Sequence, residues 1–268
     1  MDITNSYLQR NNAYLARLEI SKIKDYLTTI DPNRLEIFGY KVYSQGDEDG
    51  IIDAIFHRLG IKKGTFAEIG VENGLECNTL LLLHQGWKGF WFEANEEFIK
   101  QIHYKFGSVV NLGIGVGMIT KENINTAFEQ VNIIDLDFLS IDIDGMDIYL
   151  LEALEIKPKV ICIEYNAKWP AHVSKKPVYD SKFQWSGTDY MGSSLKAITD
   201  VANQKGYELV GTSITGANAF YVRKDLINDK FPKYREVSDL YNPPRYWLIF
   251  DHFWHIGHPA DFGPYTDA

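Results

Sequence analysis

Two short stretches constrain this chain more tightly than anything else in it. Thr65-Phe66-Ala67-Glu68-Ile69-Gly70-Val71-Glu72-Asn73-Gly74 comes first, and Gly89-Phe90-Trp91-Phe92-Glu93-Ala94 follows after one helix length of chain. Each reads as an apolar strand ending in an acid, and a glycine turn leads from the first strand into a helix. Successive strands joined by a helix lie side by side in a parallel sheet. Their terminal acids and the bare turn then meet at the carboxyl edge, where open α/β sheets take their ligands. Gly70 and Gly74 allow the turn dihedrals closed to other residues and keep side chains out of a ligand's way. Glu93, at the tip of the second strand, is placed to accept hydrogen bonds from two ribose hydroxyls.

The turn also discriminates among adenosine-containing cofactors. A dinucleotide pyrophosphate needs G-x-G-x-x-G, with backbone amides and a helix N-terminus facing the phosphates. Here the spacing is Glu68-x-Gly70-x-Glu72-x-Gly74. Acids standing beside phosphates in a poorly solvated cleft would cost on the order of several kcal/mol. S-adenosylmethionine has no phosphate and carries a sulfonium and an ammonium, so acids suit it. It is the expected cofactor.

With 268 residues and 45% hydrophobic content, the chain can bury one large core plus extensions. Its 27 basic and 36 acidic residues give a net charge of −9, without a basic stripe, which argues against a nucleic-acid partner. Cys77 and Cys162 lie in apolar segments and read as buried, reduced thiols of a cytoplasmic protein. No leader pattern and no apolar run of membrane-spanning length is seen, so neither export nor a membrane span is expected.

Three regions are expected: an N-terminal helical extension over 1–42, a cofactor-binding domain over 43–226 and an aromatic extension over 227–268. Tyr7, Leu8, Tyr14, Leu15, Leu18, Ile20, Ile23, Tyr26 and Leu27 recur at helical spacing until Asp31-Pro32-Asn33 ends the run. That helix either packs on its own domain or forms a homodimer contact. Ser44 or Asp47 is expected to cap the helix that follows, with lining of the cleft by Gln45 and Glu48 the alternative. Strands are expected at 65–69, 89–93, 109–114, 137–142 and 159–164, and helices near 77–85, 95–106, 121–130, 147–155 and 194–205. Tyr207–Gly211 and Ala219–Val222 are too close for a crossover helix, so the last strand must run antiparallel. The predicted fold is α/β and Rossmann-like: a mostly parallel seven-stranded sheet with an antiparallel last strand and helices on both faces. A dinucleotide dehydrogenase would not need that reversal.

From Tyr43 to Leu226 the chain resembles class I S-adenosylmethionine-dependent methyltransferases of the FkbM-like kind, many of which accompany bacterial capsule and lipopolysaccharide genes. The resemblance rests on Ser44-Gln45-Gly46-Asp47-Glu48-Asp49-Gly50, Glu68-Ile69-Gly70-Val71-Glu72-Asn73-Gly74, Phe92-Glu93-Ala94, Leu139-Ser140-Ile141-Asp142-Ile143-Asp144-Gly145-Met146-Asp147, Ile163-Glu164-Tyr165-Asn166 and Gly187-Thr188-Asp189-Tyr190. It departs where such enzymes more often read Asp-x-Glu-Gly and this chain has Asp142-Ile143-Asp144-Gly145. The resemblance implies that Glu68, Gly70 and Gly74 face the methionine part of the donor and that Glu93 takes the ribose. Ala94 and Asn95 would flank the adenine, Val116 and Gly117 would close over it, and Asp142 would sit beside the sulfonium or the ammonium.

Asp142, Asp144 and Asp147 fall at one strand–helix junction, and Glu164 and Asn166 end the next strand. Adjacent strands are about 4.8 Å apart, so these groups should converge. Asp144, Glu164 and Asn166 form a candidate site for Mg²⁺ or Mn²⁺, since carboxylate and amide oxygens are hard ligands. The set is similar to that of catechol-type methyltransferases, which place an acid after the fourth strand and an Asp-Asn pair after the fifth. The plainer reading is that Asp144 and Asp147 cap the next helix, and Asp147 fits it best. Asp144 is the first candidate for a general base; His252 is a second, with His255, His258 and His172 behind it. The 166–194 loop, rich in Trp, Tyr, Phe and His, should cover the acceptor side and suit a sugar ring; Lys175 and Lys176 could meet a phosphate. The expected activity is O-methylation of a sugar or phosphorylated sugar precursor of a surface polysaccharide. A nucleotide-binding oxidoreductase and a non-catalytic cofactor-binding assembly partner are the alternatives.

Overall fold

A computed structural model describes residues 3–248 and 265–266, with side chains over 11–248. Seven strands form one sheet: β1 (Thr65–Ile69), β2 (Lys88–Glu93), β3 (Leu112–Val116), β4 (Phe138–Ile141), β5 (Val160–Glu164), β7 (Tyr207–Thr212) and β8 (Asn218–Arg223). Their order is β3-β2-β1-β4-β5-β8-β7. β8 alone runs against the other six, pairing antiparallel with both β5 and β7. This is the class I methyltransferase fold, and the last strand is reversed because 213–217, all that separates it from β7, is too short for a crossover helix. A short pair, β6 (Lys176–Pro177) with β9 (Tyr265–Thr266), lies outside the sheet.

The central strands are apolar on both faces because helices cover both. Val160 and Cys162 of β5 join Phe138, Phe66 and Trp91 in one core layer, under α2 (Glu48–Leu59) and α3 (Leu80–His84). Ile161 and Ile163 point the other way, with Leu139 and Ile141, and meet α5 (Ile124–Gln130), α6 (Asp147–Ala153) and α7 (Leu195–Gln204). α4 (Glu96–Phe106) follows β2 and is capped by the Asn95 side chain, which accepts the amides of Glu97 and Phe98.

The third strand begins later than its sequence predicts. Gly113 and Gly115 lie under the rings of Phe90 and Phe92, and a Cβ at either glycine would come within 2.1 and 2.5 Å of them. Pairing starts at Leu112, opposite Gly89, because the residues before it turn out of α4, with the Val109 amide on the Phe106 carbonyl and the Leu112 amide on the Val109 carbonyl. α3 is also shorter than expected, because Asn78 and Thr79 are drawn into the site described below.

α1 (Ile3–Ile30) is one continuous helix. Its Ala16 and Leu27 are buried, and Ala16 packs with Ile214 and Leu248. Ser44 does serve the start of α2: its Oγ accepts the Asp49 amide, while Asp49 gathers the amides of Val42, Tyr43 and Ser44. Asp47 does not cap. Its carboxylate reaches across the chain to the Ile214 amide instead. No helix among the described residues is long and apolar enough to cross a membrane.

Candidate active site at the strand tips

The acids at the carboxyl edge fall into two groups according to what holds them. The first group is held by donors of the protein itself. Glu68, in β1, points down under the turn; its oxygens accept the amides of Asn78 and Thr79 at 2.9 and 3.0 Å and the Thr79 hydroxyl at 2.6 Å. Thr79 Oγ1 in turn accepts from the Trp91 indole at 2.7 Å. Side chains alternate along β1, so Glu68 shares the inner layer with Trp91 and cannot face a ligand above the turn. Burial raises its pKa above the usual carboxylate range, and those hydrogen bonds partly offset the shift.

Gly70 and Gly74 are required for packing reasons. A Cβ on Gly70 would lie 1.7 Å from the Asp142 carbonyl oxygen, and one on Gly74 would lie 2.5 Å from the Trp91 ring. Both have left-handed backbone, φ 83° and 76°. The space next to Gly74 is thus taken by an indole rather than left to a donor.

Glu93 stands at the tip of β2, and its carboxylate accepts three amides. Glu72 donates to Oε2 at 2.8 Å, while Ala94 and Asn95 donate to Oε1 at 2.9 and 2.8 Å. A carboxylate has about four acceptor positions, so one remains, on Oε2. Val116 pairs with Glu93 across the sheet and is mostly exposed. Gly117 follows at φ 126°, with open space where a Cβ would be. Asp147 completes the group: it accepts the amides of Ile143 and Gly145, both at 2.9 Å, and so closes the 143–145 turn. It does not cap α6 as expected: it is that helix's first residue, the cap position is Met146, and its carboxylate serves the preceding turn instead.

The second group has no such partners. Asp142, Asp144 and Glu164 each offer an oxygen, and these lie within 4.8 Å of one another. The register explains the meeting: Ser140 pairs with Cys162, so Asp142 stands level with Glu164 two residues on. Glu164 Oε2 is buried without a hydrogen-bond partner, and so is Asn218 Oδ1 on the strand beside it. Burial raises the pKa of Glu164 well above the carboxylate range, and Asp142, Asp144 and Asp147 raise it further. Asp142 is raised for the same reason, first by burial and then by Asp144. Asp144 is pushed up to about 6, by burial and then by Glu72. Asp144 and Glu72 are two of three non-glycine residues with positive φ among the described residues, at 55° and 49°. Such backbone is uncommon outside glycine and concentrates at functional sites.

Glu164 is buried with one oxygen unpartnered, and the half-buried Asp142 and Asp144 crowd it, an arrangement that costs free energy unless a cation joins the three. Their hard oxygens fit a divalent ion. Asn166, expected as a third ligand, is turned into its own loop: Nδ2 donates to the Asp189 carbonyl at 2.8 Å and Oδ1 accepts the Lys168 amide. Asp142 takes its place in the cluster.

The loop after β5 is pinned at many points. Phe183 lies against Gly145, whose Cβ would fall 2.4 Å from its ring, and it packs edge-on to Tyr190 at 5.6 Å. Lys168 pairs with Asp189. Lys176 is committed to Glu152 at 2.8 Å and to the Tyr149 ring, away from any phosphate of an acceptor. Tyr165 and Tyr241 tie the loop to the chain after α7 through the carbonyls of Asn242 and Ala167, both at 2.7 Å. His252, with His255 and His258, lies outside the described residues.

No protein-family model and no curated sequence matches this chain. Solved structures do match in fold. One is named as a caffeoyl-CoA O-methyltransferase from Staphylococcus aureus, at 17% identity and TM-score 0.48, covering 80% of this chain and 99% of its own. The N-terminal domain of EvdMO1, solved with S-adenosylhomocysteine and D-fucose, is 12% identical at TM-score 0.46, over 76% of this chain and 95% of its own. The glycopeptide N-methyltransferase MtfA, complexed with S-adenosylmethionine, is 10% identical at TM-score 0.41, over 68% and 96%. Likeness at this level is a likeness of fold and assigns no activity.

Proposed function

We propose that this protein is an S-adenosylmethionine-dependent methyltransferase that methylates an oxygen of a sugar or phosphorylated sugar precursor of a bacterial surface polysaccharide. The observation that supports the methyl-transfer reading is the trio Asp142, Asp144 and Glu164, gathered at the tips of β4 and β5 beside the bare β1 turn, with Glu164 Oε2 buried and unpartnered. The polysaccharide setting rests on the motif resemblance alone. Asp142, Asp144 and Glu164 would hold Mg²⁺ or Mn²⁺, which would supply a Lewis acid that lowers the pKa of a bound hydroxyl. The donor, when bound, supplies an electrophilic methyl group on a sulfonium.

The chain's own residues bind and orient. Glu93 Oε2 takes one ribose hydroxyl, and Val116 with Gly117 lies against the adenine. Glu72 and Asp142 face the positive end of the donor. Asp144 is the group that accepts the acceptor's proton. Phe183 and Tyr190 offer ring faces to a sugar, and the pinned loop keeps water away. Positioning of this kind supplies a large part of the rate in group transfer.

The test is a fluorescence titration with S-adenosylhomocysteine against NADH, followed by transfer of label from methyl-labelled donor to glycan precursors. Binding of NADH and not S-adenosylhomocysteine would replace this reading with an oxidoreductase. Binding without label transfer to any sugar would leave a non-catalytic assembly partner.

A further inference from the structure

α1 carries a second apolar stripe that its own domain does not cover. Ala16, Ile20, Ile23 and Leu27 form the face against the body. At 100° per residue, Tyr14, Leu15, Leu18, Tyr26 and Ile30 gather on a different side. All five are exposed, between 40% and 65%. Two tyrosines, two leucines and an isoleucine exposed along one helix make an apolar patch of the kind that marks an interaction surface.

The stripe is symmetric about Lys22. Leu18 and Tyr26 stand four residues either side of it, and Tyr14 and Ile30 eight residues either side. Lys22 itself is exposed on the midline of the stripe, with the exposed acids Glu19 and Asp25 three residues before and after it on opposite flanks. In a second copy running antiparallel, Leu18 comes level with the partner's Tyr26 and Tyr14 with the partner's Ile30, twice over. Each Lys22 falls between the partner's Glu19 and Asp25. A two-fold interface needs this kind of self-complementarity, in charge as well as in apolar contact.

We propose that α1 pairs with α1 of a second copy of this chain as an antiparallel helix pair, with Lys22 on the two-fold axis. Apolar burial drives the association, and the lysine set among four acids fixes the register, as a single polar position does in other helix pairs. The proposal rests on the exposed face of α1 alone, so the dimer does not depend on the proposed activity.

Light scattering on the full chain should give twice its 30.7 kDa mass. Lys22→Cys should join in high yield to its own copy with a short bis-maleimide, because a residue on the axis faces itself. Thr28→Cys, also exposed but on another side of α1, should not; the native Cys77 and Cys162 are buried and give no background. Leu18→Glu with Tyr26→Glu should yield a monomer whose melting remains cooperative. A wild-type monomer at tens of micromolar overturns the proposal, as would be seen if the chain's own residues 249–264 covered the stripe. Equal cross-linking at residues 22 and 28, or a dimer that survives the double substitution, overturns it as well.

Discussion

Asp144→Asn isolates the charge of the acid cluster from its shape. Asparagine tolerates left-handed backbone better than almost any residue but glycine, so φ 55° imposes little penalty on the replacement. In metal-free, donor-free protein the aspartate is a liability. Its pKa rises from 3.8 to about 6, through burial first and Glu72 second. A folded-state pKa raised for an acid means that ionisation opposes folding. Above pH 6 both folded and unfolded chains carry the charge and the full penalty applies; below 3.8 both are protonated and it vanishes. The size is about 2–3 kcal/mol at pH 7.5, after allowance for partial exposure. Asp144→Asn should therefore raise the melting temperature by roughly 5–10 °C at pH 7.5 for a chain of this size. The gain should shrink steadily toward pH 4. Scanning fluorimetry in chelator, across that range, reads both effects, and label transfer at pH 7.5 should fall by at least a hundredfold in the same variant. A variant that melts at or below wild type, or whose gain ignores pH, would show that Asp144 is not penalised and that the cluster does not await a cation.

Glu93→Ala strips three amides of their acceptor, so it should lose at least ~2 kcal/mol of stability in denaturant titrations. It should also weaken S-adenosylhomocysteine binding more than tenfold by calorimetry; wild-type values in both would remove Glu93 from turn and ribose alike. Gly145→Ala drives a methyl into the Phe183 ring and should cut turnover at least tenfold while donor affinity stays within about twofold; unchanged turnover would mean the loop does not address the reacting atoms. Chelation should abolish activity, with Mn²⁺ restoring it in wild type and not in Glu164→Gln; indifference to chelation removes the ion from the reaction.

The framework of the fold was legible because each strand–turn–helix unit carries its own punctuation. Asp142 after β4, Glu93 after β2 and the short Gly211–Ala219 gap announced the sheet and its reversed strand. What the sequence could not distinguish was which acids are spent. Glu68 beside Gly70 reads like a ligand-facing residue, and its strand parity sends it inward to Asn78 and Thr79. That outcome has a signal in hindsight, since Asn78-Thr79 opens a helix whose amides need an acceptor. The pairing of Asp142 with Glu164 follows from the β4–β5 register, which the sequence holds only implicitly. Asn166 was misleading because a loop amide can satisfy its own backbone as readily as a metal. The exchange of Asp47 from cap to tether depends on Ile214, far along the chain, and nothing local foretells it.

The bond chain from Glu68 through Thr79 to Trp91 has a bearing on how such a protein diversifies. It fastens the first turn to two neighbouring strands using residues that all lie between positions 68 and 91. The segments that reach the opposite side of the crevice, 166–194 and 227–248, contribute nothing to that fastening. On the function proposed above, reagent and target are handled by separate lengths of polypeptide. Grafting those two segments from a sister protein should transplant its taste in targets while the host keeps its grip on the methyl source.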